Sequence, residues 1–258
     1  MRSNKIKISL GCGLISLGRE WGYKKSDIPA EKEAIRFLQF AFKLGMRFFD
    51  TAPSYGASEQ RFGKFLMTLS DLQNKRIIVA TKFGEHWDEG KNEAYTDHSY
   101  SALIKSLNQS CARLGKIDIL QVHKTTPAVL RTKDLFKALE YAKKKGVEKF
   151  GASVSDIESA EMVLNSNIFS VIQVPFNKFN TQFEHIIKKA KNKKKFIIIN
   201  RPFAMGELIY KHNQEINKKT LLVNAYRFIK KLNFEGVILT GTKSPIHLKE
   251  NFEAFNQA

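Results

Sequence analysis

The chain has 258 residues and a formal net charge of +18, enough length for one full α/β core of about 250 residues. No apolar run nears the ~20 residues of a membrane span, and Met1 to Lys7 lacks the apolar stretch of a secretion signal. The two cysteines, Cys12 and Cys111, form neither a CxxC pair nor a metal-type spacing with histidine. A reduced, cytoplasmic protein without structural disulfides, metal or membrane partner is expected.

A strongly basic chain attracts anions. Two lysine runs stand out, Lys143-Lys144-Lys145 and Lys191-Asn192-Lys193-Lys194-Lys195. Both runs close predicted helices, where the dipole favours cations. No RNP-type aromatic signature, zinc finger or arginine-rich arm supports nucleic-acid binding.

Short apolar runs rich in Ile, Val and Phe alternate with longer amphipathic ones. The runs predict strands at Lys7 to Leu10, Arg47 to Asp50, Ile77 to Thr81, Ile117 to Val122, Lys149 to Ser153, Val171 to Pro175, Phe196 to Asn200 and Gly236 to Thr240. Helical spacing predicts Ala30 to Leu44, His98 to Leu114 and Thr132 to Lys145, with Gly45, Gly115 and Gly146 as stops. Continuous apolar strands suit burial on both faces. Strand–helix alternation argues a parallel sheet, and eight repeats suggest a (β/α)₈ TIM barrel with short loops. No linker or composition shift divides the chain, so one domain over residues 1–258 is expected. An open doubly wound sheet is the second reading, but no GxGxxG turn feeds a helix.

Active sites of such barrels lie at the C-terminal strand ends. Polar residues fall there repeatedly: Asp50, Lys82, His123, Ser153, Gln173, Arg201 and Thr240, with Tyr55 on the loop after Asp50. Each has a plainer reading. Asp50 also fits a turn cap, Tyr55 a rim aromatic, His123 a satisfied core histidine, and Ser153 and Gln173 strand-end capping. Lys82 is harder to explain structurally, because a buried lysine without a partner is costly. Glu59, at the start of a predicted helix, fits ordinary N-terminal helix chemistry and is left outside the site.

The segments Asp50-Thr-Ala-Pro-Ser-Tyr55-Gly-Ala-Ser-Glu59, Ala80-Thr-Lys82-Phe-Gly84, Leu120-Gln-Val-His123, Phe150-Gly-Ala-Ser153, Ile172-Gln173-Val-Pro-Phe-Asn177, Pro202-Phe-Ala-Met-Gly206-Glu-Leu208 and Gly241-Thr-Lys-Ser-Pro-Ile-His-Leu-Lys-Glu250-Asn251 run in order along nearly the whole chain. Together they resemble the aldo-keto reductase superfamily. The resemblance implies a barrel enzyme that reduces a carbonyl with a nicotinamide cofactor, or runs the reverse. It assigns Asp50, Tyr55, Lys82 and His123 as the catalytic tetrad, with Tyr55 the proton donor. A tyrosine pKa near 10 is high for that task. A neighbouring ammonium is expected to lower it, with Asp50 holding Lys82 charged and His123 orienting the carbonyl.

By the same resemblance Ser153 and Gln173 meet the nicotinamide carboxamide, and Gly206 and Leu208 run along the pyrophosphate. Gly241, Thr242, Lys243, His247, Glu250 and Asn251 take the adenosine-phosphate end. Lys243 near the 2′-phosphate implies NADPH over NADH. The chain departs from the family in two places. Ser153 is followed by Val154 rather than Asn, and Asn200-Arg201 stands where an aromatic commonly stacks on the nicotinamide, with Phe203 near in sequence. Arg201 is counted with the cofactor residues; reaching an anionic substrate group and a structural salt bridge are its other readings. Short loops imply an open, shallow pocket suited to a large or polymer-linked substrate, or to a partner that completes the wall, lined by Trp21 and Trp87; rim packing is the other reading for both. A nicotinamide-nucleotide-binding regulatory subunit, resembling potassium-channel β-subunits, is the alternative function. Sugars, small aldehydes, nucleotide-linked sugars and quinones all suit the four residues.

Overall fold

The computed structural model describes residues 8–23, 27–212 and 217–258. The expected first strand begins at Lys7, which lies outside them. In chain order the elements are β1 (Ile8–Gly13), α1 (Glu31–Leu44), β2 (Phe48–Asp50), α2 (Ser58–Leu66), α3 (Asp71–Asn74), β3 (Ile78–Phe83), β4 (Glu85–Asp88), β5 (Glu93–Thr96), α4 (Tyr100–Leu114) and β6 (Ile119–Val122). There follow α5 (Lys133–Lys144), β7 (Lys149–Ser153), α6 (Ile157–Asn165), β8 (Phe169–Pro175), α7 (Glu184–Asn192), β9 (Phe196–Asn200), α8 (Glu207–His212), α9 (Lys218–Lys230), β10 (Gly236–Gly241) and α10 (Pro245–Gln257).

Eight strands close a barrel in the order β1-β2-β3-β6-β7-β8-β9-β10, with every neighbouring pair parallel and β10 returning to β1. The (β/α)₈ architecture is therefore the observed one, and the doubly wound alternative is not. Among the described residues no helix is long and apolar enough to cross a membrane.

The helices form because their apolar residues repeat at helical spacing. Ala34, Phe37, Leu38 and Ala41 put one face of α1 against the barrel. Leu135, Ala138, Leu139 and Ala142 do the same for α5. Ser99 and Thr132 cap α4 and α5 by accepting from Ala102 and Leu135 backbone N–H groups. Gly45 ends α1 in the left-handed region, as expected.

Inside the barrel, Phe48, Ala80, Ile119, Val171, Ile198, Val237 and Leu239 form an apolar cluster of their own. Side chains on one face of a strand recur every second residue. Two residues further along, that face presents Asp50, Lys82, Gln121, Gln173 and Asn200. An apolar layer thus floors a polar layer at the C-terminal mouth, and the strand registers hold the two in step.

A small antiparallel hairpin, β4–β5, stands outside the barrel between β3 and α4. The sequence reading did not anticipate it. Its strands are four residues each and largely polar, so neither the apolar-run nor the helical pattern marks them.

Candidate active site

At the mouth, Lys82 Nζ donates to Asp50 Oδ2 at 2.6 Å and to the Thr51 carbonyl at 2.9 Å. Gln121 Nε2 donates to Asp50 Oδ1 at 3.1 Å. Lys82 is 1% exposed, so its cost is met by that pairing rather than by water. Its ammonium lies 4.9 Å from the centroid of the Tyr55 ring. The Tyr55 ring in turn meets His123 edge-on, with centroids 6.0 Å apart. The four residues singled out from the sequence therefore converge.

Their electrostatics follow from burial and mutual charge. Burial opposes the Lys82 ammonium, but the Asp50 charge and the Tyr55 phenol outweigh it and raise its pKa. Burial lifts the Asp50 carboxyl against the pull of Lys82. Burial also holds the Tyr55 phenol above its usual 10; Lys82 offsets this only in part, and Asp50 works the other way. The expected lowering of the phenol by lysine is thus outweighed by desolvation. Burial first, then Lys82, pushes His123 well below its usual 6.5.

Three groups around His123 were not foreseen. Glu85, the first residue of β4, brings Oε2 to 3.0 Å from His123 Nδ1. Ser54 Oγ donates to the same oxygen at 2.7 Å, and Lys124 Nζ stands 3.4 Å from Oε1. Arg19 Nη1 donates to the Ser54 carbonyl at 3.0 Å. The Arg19 guanidinium lies 5.7 Å from the Trp21 ring centroid and 5.4 Å from that of Trp87.

The Tyr55 loop is locked to the turn after β1. A Cβ on Gly18 would strike the Tyr55 carbonyl oxygen and the Ser58 backbone nitrogen, and one on Gly56 the Gly18 carbonyl oxygen. Gly56 also has φ of 56°, a conformation that favours glycine. Ser58 Oγ donates to the Leu14 carbonyl at 3.0 Å across the same seam.

Glu59 lies in the first turn of α2 and outside the cleft, as expected, but it has partners of its own. It is fully buried, accepting from Thr81 Oγ1 at 2.6 Å, Ser110 Oγ at 2.8 Å and Arg113 Nη1 at 3.2 Å. The signal was present: Glu59, Phe62, Gly63 and Leu66 share one helical face.

A cleft of about 730 Å³ runs from Tyr55 and His123 past Ser153, Gln173 and Arg201 to Gly206, Gly241, Thr242, Lys243, His247, Glu250 and Asn251. Trp21 lines it. Trp87 does not; it lines a separate depression behind Pro53 and Gly56. Leu208 is absent from the wall as well, because its side chain packs into the core. Phe203 reaches the wall but packs edge-on against Tyr226, centroids 5.1 Å apart. Arg201 has φ of 54°, and its carbonyl accepts from Asn177 Nδ2 at 2.8 Å. It makes no ion pair among the described residues, so the salt-bridge reading finds no partner. At the far end Lys218, unforeseen, meets Glu250 Oε2 at 2.6 Å. Lys243 Nζ donates to the Asp27 carbonyl. Asn251 accepts from the Tyr226 hydroxyl at 3.0 Å and donates to the His247 carbonyl at 2.7 Å.

The cleft fits a nicotinamide dinucleotide. Gln173 Oε1 and Asn200 Oδ1 are buried acceptors without a hydrogen-bond partner among the described residues, both on its wall, and suit a carboxamide N–H. At the other end α10 opens from Ser244 beside Thr242, Lys243 and His247, an arrangement suited to phosphate.

The family model described as the Aldo/keto reductase family matches residues 9–222. An uncharacterised oxidoreductase of Bacillus subtilis, YqkF, is 29% identical over 225 residues, covering 82% of this chain and 68% of that protein. The aldo-keto reductase YhdN of the same organism is 28% identical over 216 residues, covering 81% and 62%. The chain thus spans about two thirds of the length of these curated relatives. The holo form of an aldo-keto reductase from Bacillus halodurans superposes with a TM-score of 0.77 at 22% identity, covering 95% of this chain and 86% of that one. That likeness speaks to the fold. The matched family model, together with a barrel whose mouth gathers Asp50, Tyr55, Lys82 and His123, places this chain in the aldo/keto reductase family of NAD(P)H-dependent oxidoreductases.

Proposed function

We propose that the chain is an NADPH-dependent carbonyl reductase of the cytoplasm, acting as one barrel domain over residues 1–258 and able to run in reverse. The observation that carries this reading is the Asp50–Lys82 pair, 2.6 Å apart and buried under the Tyr55 ring at the floor of the cleft. A structural barrel has no use for a costly buried ion pair beneath an open-mouthed phenol.

Ser153, Gln173 and Asn200 would hold the carboxamide end of the cofactor, and Gly206 the pyrophosphate. Gly241, Thr242, Lys243, His247, Lys218, Glu250 and Asn251 surround the adenosine-phosphate end. When bound, the dinucleotide supplies the hydride. Tyr55 gives its proton to the substrate oxygen as that oxygen becomes an alkoxide. Burial keeps the phenol protonated at neutral pH, so it waits as a donor. Lys82 stabilises the phenolate left behind, and Asp50 holds Lys82 in place. His123 stands beside the phenol and orients the substrate oxygen.

Mixing the protein with NADPH and a panel of aldehydes, while following cofactor absorbance, tests the reading. Sustained turnover is expected. Tight cofactor binding without turnover would overturn it in favour of a regulatory nucleotide-binding role. The cationic adenosine-phosphate end supports NADPH over NADH; a lower dissociation constant for NADPH is expected, and equal or tighter NADH binding rejects the preference.

A further inference from the structure

Among the described residues, two arginines at the catalytic end of the cleft lack a counter-charge. Arg19 and Arg201 each bring a guanidinium carbon to 5.7 Å from the centroid of the Trp21 ring. All three residues line the cleft together with Tyr55 and His123. Neither arginine makes an ion pair among the described residues. The other cations of the wall are engaged: Lys124 faces Glu85, Lys218 pairs with Glu250, and Lys243 donates to the Asp27 carbonyl. Glu85, a carboxylate of the same wall, is taken by Ser54, His123 and Lys124. Two like charges sharing one aromatic ring repel, and an anion between them relieves that repulsion.

The backbone points the same way. Arg201 sits in the left-handed region at φ of 54°, followed by Ala204 at 48° and Met205 at 61°. Non-glycine residues there carry strain that persists where the surroundings hold it, and such strain gathers at ligand sites. Asn177 Nδ2 and the Ala204 backbone N–H hold the Arg201 carbonyl at 2.8 and 3.0 Å. Arg19 is anchored on the Ser54 carbonyl, one residue from the proton donor.

We infer that the physiological substrate is a small aldehyde or ketone bearing a carboxylate or phosphate, gripped by Arg19 and Arg201 against Trp21. This rests on the reductase reading of the cleft. Guanidinium suits both anions, because its fork of N–H donors matches paired oxygens. The short reach from Arg19 to Tyr55 sets the anion a few bonds from the carbonyl.

Matched pairs of substrates test it: 4-oxobutanoate against butanal, and glyceraldehyde 3-phosphate against glyceraldehyde, each with saturating NADPH. The charged member of at least one pair is expected to have a kcat/KM higher by about tenfold or more, and the pair with the larger ratio names the anion. Arg19→Gln and Arg201→Gln are expected to collapse that ratio mainly through KM, and Arg19→Lys to restore part of it. Equal kcat/KM within both pairs overturns the inference and leaves the reductase reading standing. No turnover of any carbonyl sinks both.

Binding gives a second readout. The chain's two tryptophans, Trp21 and Trp87, both lie against Arg19, so intrinsic fluorescence reports on it. Succinate or inorganic phosphate added to the NADP⁺-loaded protein is expected to give a saturable change, lost in Arg19→Gln. No saturable change, or an anion response that NADP⁺ competes away, overturns the inference; the latter would hand the arginines to the cofactor's own phosphates.

Discussion

Glu85 Oε2 lies 3.0 Å from His123 Nδ1, while Ser54 donates to that same oxygen. The Glu85 carboxylate thus neighbours one nitrogen of the ring beside Tyr55, and the protonation of that nitrogen decides what the other presents. Its negative charge also favours the imidazolium form. Glu85→Gln removes that charge, and the His123 pKa is expected to fall further below 6.5. Carbonyl kcat/KM should drop about tenfold. NMR titration of the imidazole checks the first outcome; an unmoved pKa would refute the coupling.

His123 also gives stability a pH dependence of defined sign. Its folded pKa is depressed below 6.5 by burial and Lys82, so the unfolded chain binds more protons in the window beneath 6.5. Stability therefore falls as the pH drops from 6.5 towards the folded pKa, by up to about 1.4 kcal/mol per pH unit for this one group. His123→Gln should flatten that slope in thermal melts taken between pH 7 and pH 5, about the range where an ordinary histidine titrates. An unchanged slope would assign the dependence elsewhere.

Tyr55→Phe deletes one hydroxyl and keeps the ring against His123 and Lys82. Carbonyl reduction should fall by about 10²–10⁴-fold, the usual size of a lost proton donor. NADPH binding, measured by fluorescence titration, should hardly change. Near-normal turnover would mean that another acid supplies the proton.

Lys82→Met leaves the Asp50 carboxylate buried beside an apolar chain. Removing one partner of a buried pair costs about 3–5 kcal/mol, readable as a lowered urea midpoint. Adding Asp50→Leu should return most of the loss while the protein stays inactive. A double variant as unstable as the single one would show that Gln121, which donates to Asp50, matters more than the charge pairing.

Much of this was legible in the chain itself. Apolar runs such as Ile77 to Thr81 carry enough β-branched residues to mark a doubly buried strand, and their ends placed Asp50, Lys82 and His123 at one mouth. Gln173 stood out as a polar residue inside an apolar strand. What stayed hidden depends on tertiary contact. Glu85 follows Gly84, which turns the chain out of β3 at φ of 102°, so no strand pattern predicts that it returns to His123. Arg19 reads as an ordinary loop cation until the Ser54 carbonyl receives it. Leu208 sits on a matching segment and Trp87 on the loop after the third strand, yet apolar packing and a hairpin turn them from the cleft. The phenol pKa was missed because desolvation is a property of the closed barrel, not of the Tyr55–Lys82 spacing.

The main-chain contact between Gly18 and the Tyr55–Gly56 turn leaves no room for a side chain. It fuses the segment bearing Arg19 to the segment bearing the acid. A lineage that diversifies its diet can exchange the arginine at little risk to the phenol. It cannot lengthen either turn without dislodging both. New specificity on this scaffold is therefore expected to arise by replacing residues at the rim, with the two glycines inherited intact.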